Sequence, residues 1–274
     1  MNGKKVNRSN LLRCLLPFLV CLAAGVLVMA ATCGFYPQEG TDVVKKSGAT
    51  IDKSHADLGY ILIKYKETKK AVKVRVVMGD TTLTYDLTPG ADYTALPLQL
   101  GSGKYKITVY QQASGKKYTE QMSVTIKASI EDELSPFLCP NQYVWYTEES
   151  EAVKKAAEIC TPDMTDKQKI SAVADFLKRT LVYDYMAAMT VESGYIPDVD
   201  EVLSTGKGIC FDYSALMCAM LRSQGVPCKL VIGYADTTYH AWVSVYLDGA
   251  WKRYDPTYAS TGAKAKSYTT ERWY

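Results

Sequence analysis

Between Gly59 and Ile126 apolar and polar residues alternate in short runs cut by turn residues. GYILIKY, AVKVRVVM, TTLTYDL, DYTALPL, KYKITVY and TEQMSVTI each read as a strand with one buried face. Gly79-Asp80 joins two of them as a two-residue hairpin. Pro89-Gly90 and Ala113-Ser114-Gly115 mark further turns. A succession of short strands at this spacing predicts a β-sandwich over residues 55–130. Residues 32–54 show little periodicity and read as a linker.

After Pro136 the period changes. Glu148 to Cys160 and Thr165 to Leu181 have helical spacing, with Ile170, Val173, Phe176, Leu177 and Leu181 on one face and Thr165 as N-cap. A Tyr-rich stretch and a polar loop lead to a third helix. Cys210 opens it after a flexible Gly-Lys-Gly, and Gly225 ends it with Pro227 two residues on. Three strands then follow, KLVIGY, HAWVSVYL and AWKRYD. The whole reads as an α+β chain, with a sandwich at 55–130 and a mixed domain at 135–274.

Composition changes this picture at one end only. The first 30 residues carry four basic residues and no acid, and they lead into an apolar run of 18 residues, Cys14 to Ala31. Residues 1–31 are expected to act as a signal peptide, cleaved after Ala30, or as an uncleaved membrane anchor; lipidation of Cys33 is a third route. Each places the body outside the cytoplasm, secreted or held at the membrane's outer face. Without the leader, 28 basic residues stand against 29 acidic ones, so a formal charge of +3 becomes about −1. A near-neutral body without a basic run gives no electrostatic reason to expect nucleic acid.

Cys139, Cys160, Cys210, Cys218 and Cys228 lie in the body, two histidines are present in all, and no CxxC pair occurs. No metal and no cofactor are expected. Three residues could instead carry thiol chemistry. A thiol needs conversion to thiolate, which a helix N-terminus favours, an imidazole to take its proton, and a third group to orient the ring. Cys210, His240 and Asp255 supply these at a helix start, a strand head and a strand end. Taken singly, each has an ordinary structural role: a buried cysteine, a hydrogen-bonded histidine, an Asp-Pro turn.

Counting fixes their geometry. If Asp248-Gly249 is a two-residue turn, Leu247 faces Ala250, Ser244 faces Arg253, Trp242 faces Asp255 and His240 faces Thr257. His240, Trp242 and Asp255 then share one face, with Asp255 the diagonal neighbour of His240. KLVIGY is expected alongside, and the Cys210 sulfur within reach of the ring.

Two resemblances sharpen this reading. LGSGKYKITVY resembles the late strands of immunoglobulin-like and fibronectin-like modules, with Tyr105 at their corner position. GKGICFDYSALMCAMLRSQGVP and YHAWVSVYLDGAWKRYDPTY are similar to the nucleophile helix and to the His-Ala-Trp and Asp-Pro-Thr blocks of the transglutaminase-like superfamily, whose fold is papain-like. The resemblance implies Cys210 as nucleophile, His240 as base and Asp255 as orienting acid, acting on an amide through a thioester. Transglutaminase, deamidase and peptidase outcomes stay open, as does a catalytically silent domain used for surface binding. The implied partner is a protein or peptide substrate at the cell wall or surface. The Cys210 backbone N–H is the first oxyanion donor to consider and Tyr183 a second. Trp242 and Trp251 match family aromatics, as packing or as substrate contacts.

Overall fold

The computed structural model describes residues 37–192 and 194–274, and these lie in one compact unit. The leader expected at residues 1–31 is outside the described residues.

The first half is a sandwich of two four-stranded sheets. One has the order β1 (Val43–Lys46), β2 (Ala49–Asp52), β3 (Tyr60–Tyr65), β6 (Thr94–Pro97). The other has the order β5 (Thr81–Leu87), β4 (Val72–Met78), β7 (Gly103–Ser114), β8 (Lys117–Ala128). Alternation sends Val72, Val74 and Val76, Leu83, Tyr85 and Leu87, and Tyr105, Ile107 and Val109 into the core. Met78 pairs with Thr81 around Gly79-Asp80, the hairpin expected there. Tyr105 occupies its corner: its hydroxyl donates to the Leu98 and Gly101 carbonyls, at 2.8 and 2.6 Å, and accepts from the Leu100 N–H.

The reading of 32–54 as a linker is corrected, because β1 and β2 lie within it. Ser47 and Gly48 both take positive φ, 51° and 88°, and close a two-residue hairpin from Lys46 to Ala49. Ser-Gly was the local signal.

The second half holds α1 (Glu151–Ile159), α2 (Asp166–Thr180), β9 (Val182–Tyr183), α3 (Tyr185–Thr190), α4 (Val199–Thr205), β10 (Lys207–Gly208) and α5 (Cys210–Ser223). A sheet of order β13 (Ala250–Tyr254), β12 (Thr238–Leu247), β11 (Cys228–Ala235), β14 (Tyr268–Trp273) follows, with α6 (Pro256–Thr261) between its last two strands. Thr165 caps α2 in a reciprocal box with Gln168. The helix α5 is buried from Asp212 to Ser223, so it sits at the centre of this half rather than on its surface. Three closing strands were expected, but β14 is a fourth, on the far side of β11.

Independent halves were expected either side of Pro136, yet the buried residues form one continuous cluster from Ala49 to Tyr274. Tyr85 of β5 packs on Tyr143 and Tyr274, with ring centroids 6.2 and 5.6 Å away. Gln99 donates to the Trp273 carbonyl and Gln142 accepts from the Asp86 N–H. The fully buried Arg222 guanidinium donates to the carbonyls of Cys139, Cys228 and Tyr274. A period change marks where element types switch; it carries no information about which apolar faces cover each other.

Candidate functional site

The register of the β12–β13 hairpin is the one counting gives: Leu247 with Ala250, Tyr246 with Trp251, Ser244 with Arg253, Val243 with Tyr254. The ladder stops at Tyr254. Pro256 opens α6, and Asp255 becomes its N-cap, accepting the Tyr258 N–H at 2.9 Å through Oδ1. The other carboxylate oxygen, Oδ2, meets His240 Nε2 at 2.9 Å. Asp255 therefore performs both the ordinary Asp-Pro capping task and the orientation of His240. His240 does not face Thr257 in the ladder, because the chain turns into α6 first.

His240 is 4% exposed. It stacks on Tyr258, 4.5 Å between ring centroids, and lies opposite Gly233 of β11, the strand expected alongside. With Nε2 committed to Asp255, Nδ1 is the nitrogen left for the thiol, and Cys210 lies near the His240 ring. Burial pulls the imidazole down, but the bond to Asp255 and the nearby Asp255 and Cys210 groups outweigh it and push its pKa up to about 9.

Cys210 is the first residue of α5 and half-buried, whereas Cys139, Cys160, Cys218 and Cys228 are buried. The approach to it is built, not flexible. Gly206 caps α4 with φ 64°, and Lys207-Gly208 pair in parallel with Val182-Tyr183. A Cβ on Gly208 would stand 2.6 Å from Asp212 Cβ, so only glycine fits. The buried Asp212 carboxylate receives the Ile209 N–H at 2.8 Å and the Tyr195 hydroxyl at 2.7 Å, tying down the turn before Cys210.

Tyr183 lies at this point. Burial, with the nearby Cys210 charge, pushes its pKa up to about 12. It is therefore a neutral O–H at working pH, beside the N–H considered as first oxyanion donor. Trp242 is buried against Tyr268, while Trp251 packs on Phe137 with Lys229 Nζ 4.0 Å over its ring. A depression of about 500 Å³ beside the start of α5 is lined by Ala187, Val191, Glu192, Tyr195, Ile209 and Asp212. Tyr185, Met186 and Met189 of α3 are exposed next to it.

Sequence reasoning missed Tyr268. Its hydroxyl donates to Asp255 Oδ2 at 2.8 Å, and it comes from the unexpected strand β14. Its one signal was the strand-favouring Tyr, Thr and Trp of YTTERW, and half of that strand is exposed.

The sequence model of the transglutaminase-like superfamily matches residues 153–256. Human Kyphoscoliosis peptidase is 31% identical over 108 residues, covering 35% of this chain and 16% of that one. The Bacillus subtilis protein YebA is 28% identical over 109 residues, covering 32% and 15%. The chain thus spans about one sixth of the length of these relatives. Among solved structures, red sea bream transglutaminase superposes with a TM-score of 0.32 at 11% identity, over 72% of this chain and 48% of that one.

Proposed function

We propose, from the premise that residues 153–256 form a transglutaminase-like domain, that this protein is a thiol enzyme acting on amide carbonyls. The observation that carries the reading is a single line of contacts: Asp255 on His240 Nε2, and Cys210 at the same ring from the first turn of a buried helix.

In this reading Cys210 gives its proton to His240 Nδ1, and the thiolate attacks the carbonyl carbon. The C–N π-conjugation is lost and the oxygen becomes an oxyanion, taken by the Cys210 N–H with the Tyr183 hydroxyl as second donor. His240 returns the proton to the departing nitrogen, the C–N bond breaks, and a thioester to Cys210 remains. Asp255 holds the tautomer and offsets the imidazolium charge. An amine or water then attacks the thioester, giving crosslinking, deamidation or peptide cleavage.

The basic leader and apolar run support an extracytoplasmic place, secreted or membrane-attached. The substrate is then a protein or peptide at the cell surface or wall. The test is incubation of the full chain with a glutamine peptide and a labelled primary amine, read by mass spectrometry. Incorporation, a one-dalton gain or chain cleavage supports the enzyme and selects the outcome. No product, and no reaction of Cys210 with an electrophile, refutes it.

A further inference from the structure

Asp255 Oδ2 accepts two donors, and the second has a structural history of its own. Tyr268 Oη reaches it at 2.8 Å, beside His240 Nε2 at 2.9 Å. The Tyr268 ring is clamped: the Arg253 guanidinium lies 3.8 Å from its centroid and Trp242 packs edge-on at 5.0 Å. Burial, the hydrogen bond to Asp255 and the carboxylate charge push the phenol pKa well above its ordinary value, so it stays a donor.

The strand carrying it is set by distant parts of the molecule. At its far end, Gln99 of the first half donates to the Trp273 carbonyl, and Tyr274 packs 4.3 Å from Tyr143. In its middle, β14 closes on Gly233, where a Cβ would stand 2.0 Å from the Thr269 oxygen. The ladder shifts register there, between Ile232 and Gly233.

We propose that Tyr268 is a positioning residue for the His240–Asp255 pair, and that β14 makes this alignment depend on the seat the sandwich gives it. This rests on the thiol-enzyme reading. Donating to Oδ2 holds the carboxylate in the plane His240 needs and draws off part of its charge. Without the donor, Asp255 acts on His240 alone, with a looser geometry and a stronger field.

The experiment compares the full chain with Tyr268→Phe, which keeps the ring between Arg253 and Trp242. Two readouts are taken: kcat and KM on the peptide, and the pH dependence of Cys210 alkylation by iodoacetamide. The expected result is kcat about tenfold lower with KM unchanged, the scale on which removing one supporting donor acts, and an alkaline limb displaced upward. A kcat within twofold, or a fall in kcat with an unmoved limb, overturns the proposal. Should the Phe variant not fold, Arg253→Ala removes the cation on the ring without touching a bond to Asp255. A smaller displacement in the same direction is then required, and an unchanged profile overturns the proposal. A wild type that neither alkylates at Cys210 nor turns over peptide instead fails the enzyme reading itself.

Discussion

His240 and Asp255 meet at 2.9 Å from adjacent strands, although the ladder between those strands ends one residue before Asp255. The contact forms because Asp255 leaves the strand as a helix cap: Oδ1 is turned to the Tyr258 N–H, and Oδ2 is left toward the ring. The two tasks can be separated by substitution.

Asp255→Asn keeps a side-chain oxygen for the cap, and Asn caps as well as Asp. It cannot hold an imidazolium in the same way. Thermal stability is expected to change little while kcat falls by on the order of 10³ to 10⁴. A matched pair of melting curves and initial rates checks this; a kcat within tenfold of wild type would contradict the orienting role.

Cys210→Ala is expected to abolish turnover, by on the order of 10³-fold or more, with the fold intact. Cys218→Ala and Cys228→Ala should keep the chemistry, because both thiols are buried on the far parts of α5 and β11. Electrophile labelling followed by peptide mapping should find Cys210 as the modified body cysteine.

The raised pKa of His240, about 9 against 6.5, fixes a sign. A group whose folded pKa is raised contributes stability that is full below the unfolded value and lost as pH rises through the folded one. Urea midpoints should therefore fall between about pH 6.5 and 9 by more in wild type than in His240→Gln. The rate of Cys210 alkylation as an ion pair should show a limb near pH 9. Midpoints of wild type and variant that run parallel across that window would refute this.

Tyr183→Phe removes the hydroxyl near Cys210 while leaving the ring against Tyr185 and Tyr213. Its kcat is expected to fall on the order of 10²-fold, the usual effect of losing one oxyanion donor. Alkylation of Cys210, which forms no oxyanion, should change little. Equal losses in both assays would assign Tyr183 to shaping the nucleophile instead.

Because the core is continuous, the described residues should unfold in one transition seen alike by far-ultraviolet dichroism and by activity. Arg222→Leu leaves the carbonyls of Cys139 and Cys228 without their donor, while that of Tyr274 keeps the Leu230 N–H. Each buried, unsatisfied carbonyl costs about 1–3 kcal/mol, so the variant is expected to lose several kcal/mol by urea titration. Separate transitions for the two halves would reject the shared core.

The chain's own order determined whatever rests on short-range rules. Two-residue turns at Gly79-Asp80 and Asp248-Gly249 set hairpin registers, and alternation put His240 and Trp242 on one face of a strand whose partner runs to Tyr254, one residue short of Asp255. Period-two and helical spacing located β3 to β8, α1, α2 and α5, and the start of α5 singled out Cys210 among five body cysteines. Tertiary structure decided what depends on edges and on covering of faces. Strand β14 has no buried face in its pattern, half its residues being exposed and half partly buried, and the free edge of β11, relieved of a side chain at Gly233, gives it a place and brings Tyr268 onto Asp255. Ser47-Gly48 could be read as a turn, but β2 gains its value as a strand from pairing on β3, and β1 from pairing on β2. The merging of the two halves around Tyr85, Tyr143, Arg222 and Tyr274 depends on which apolar surfaces meet, since hydrophobic attraction is non-directional and sequence spacing does not name its partner.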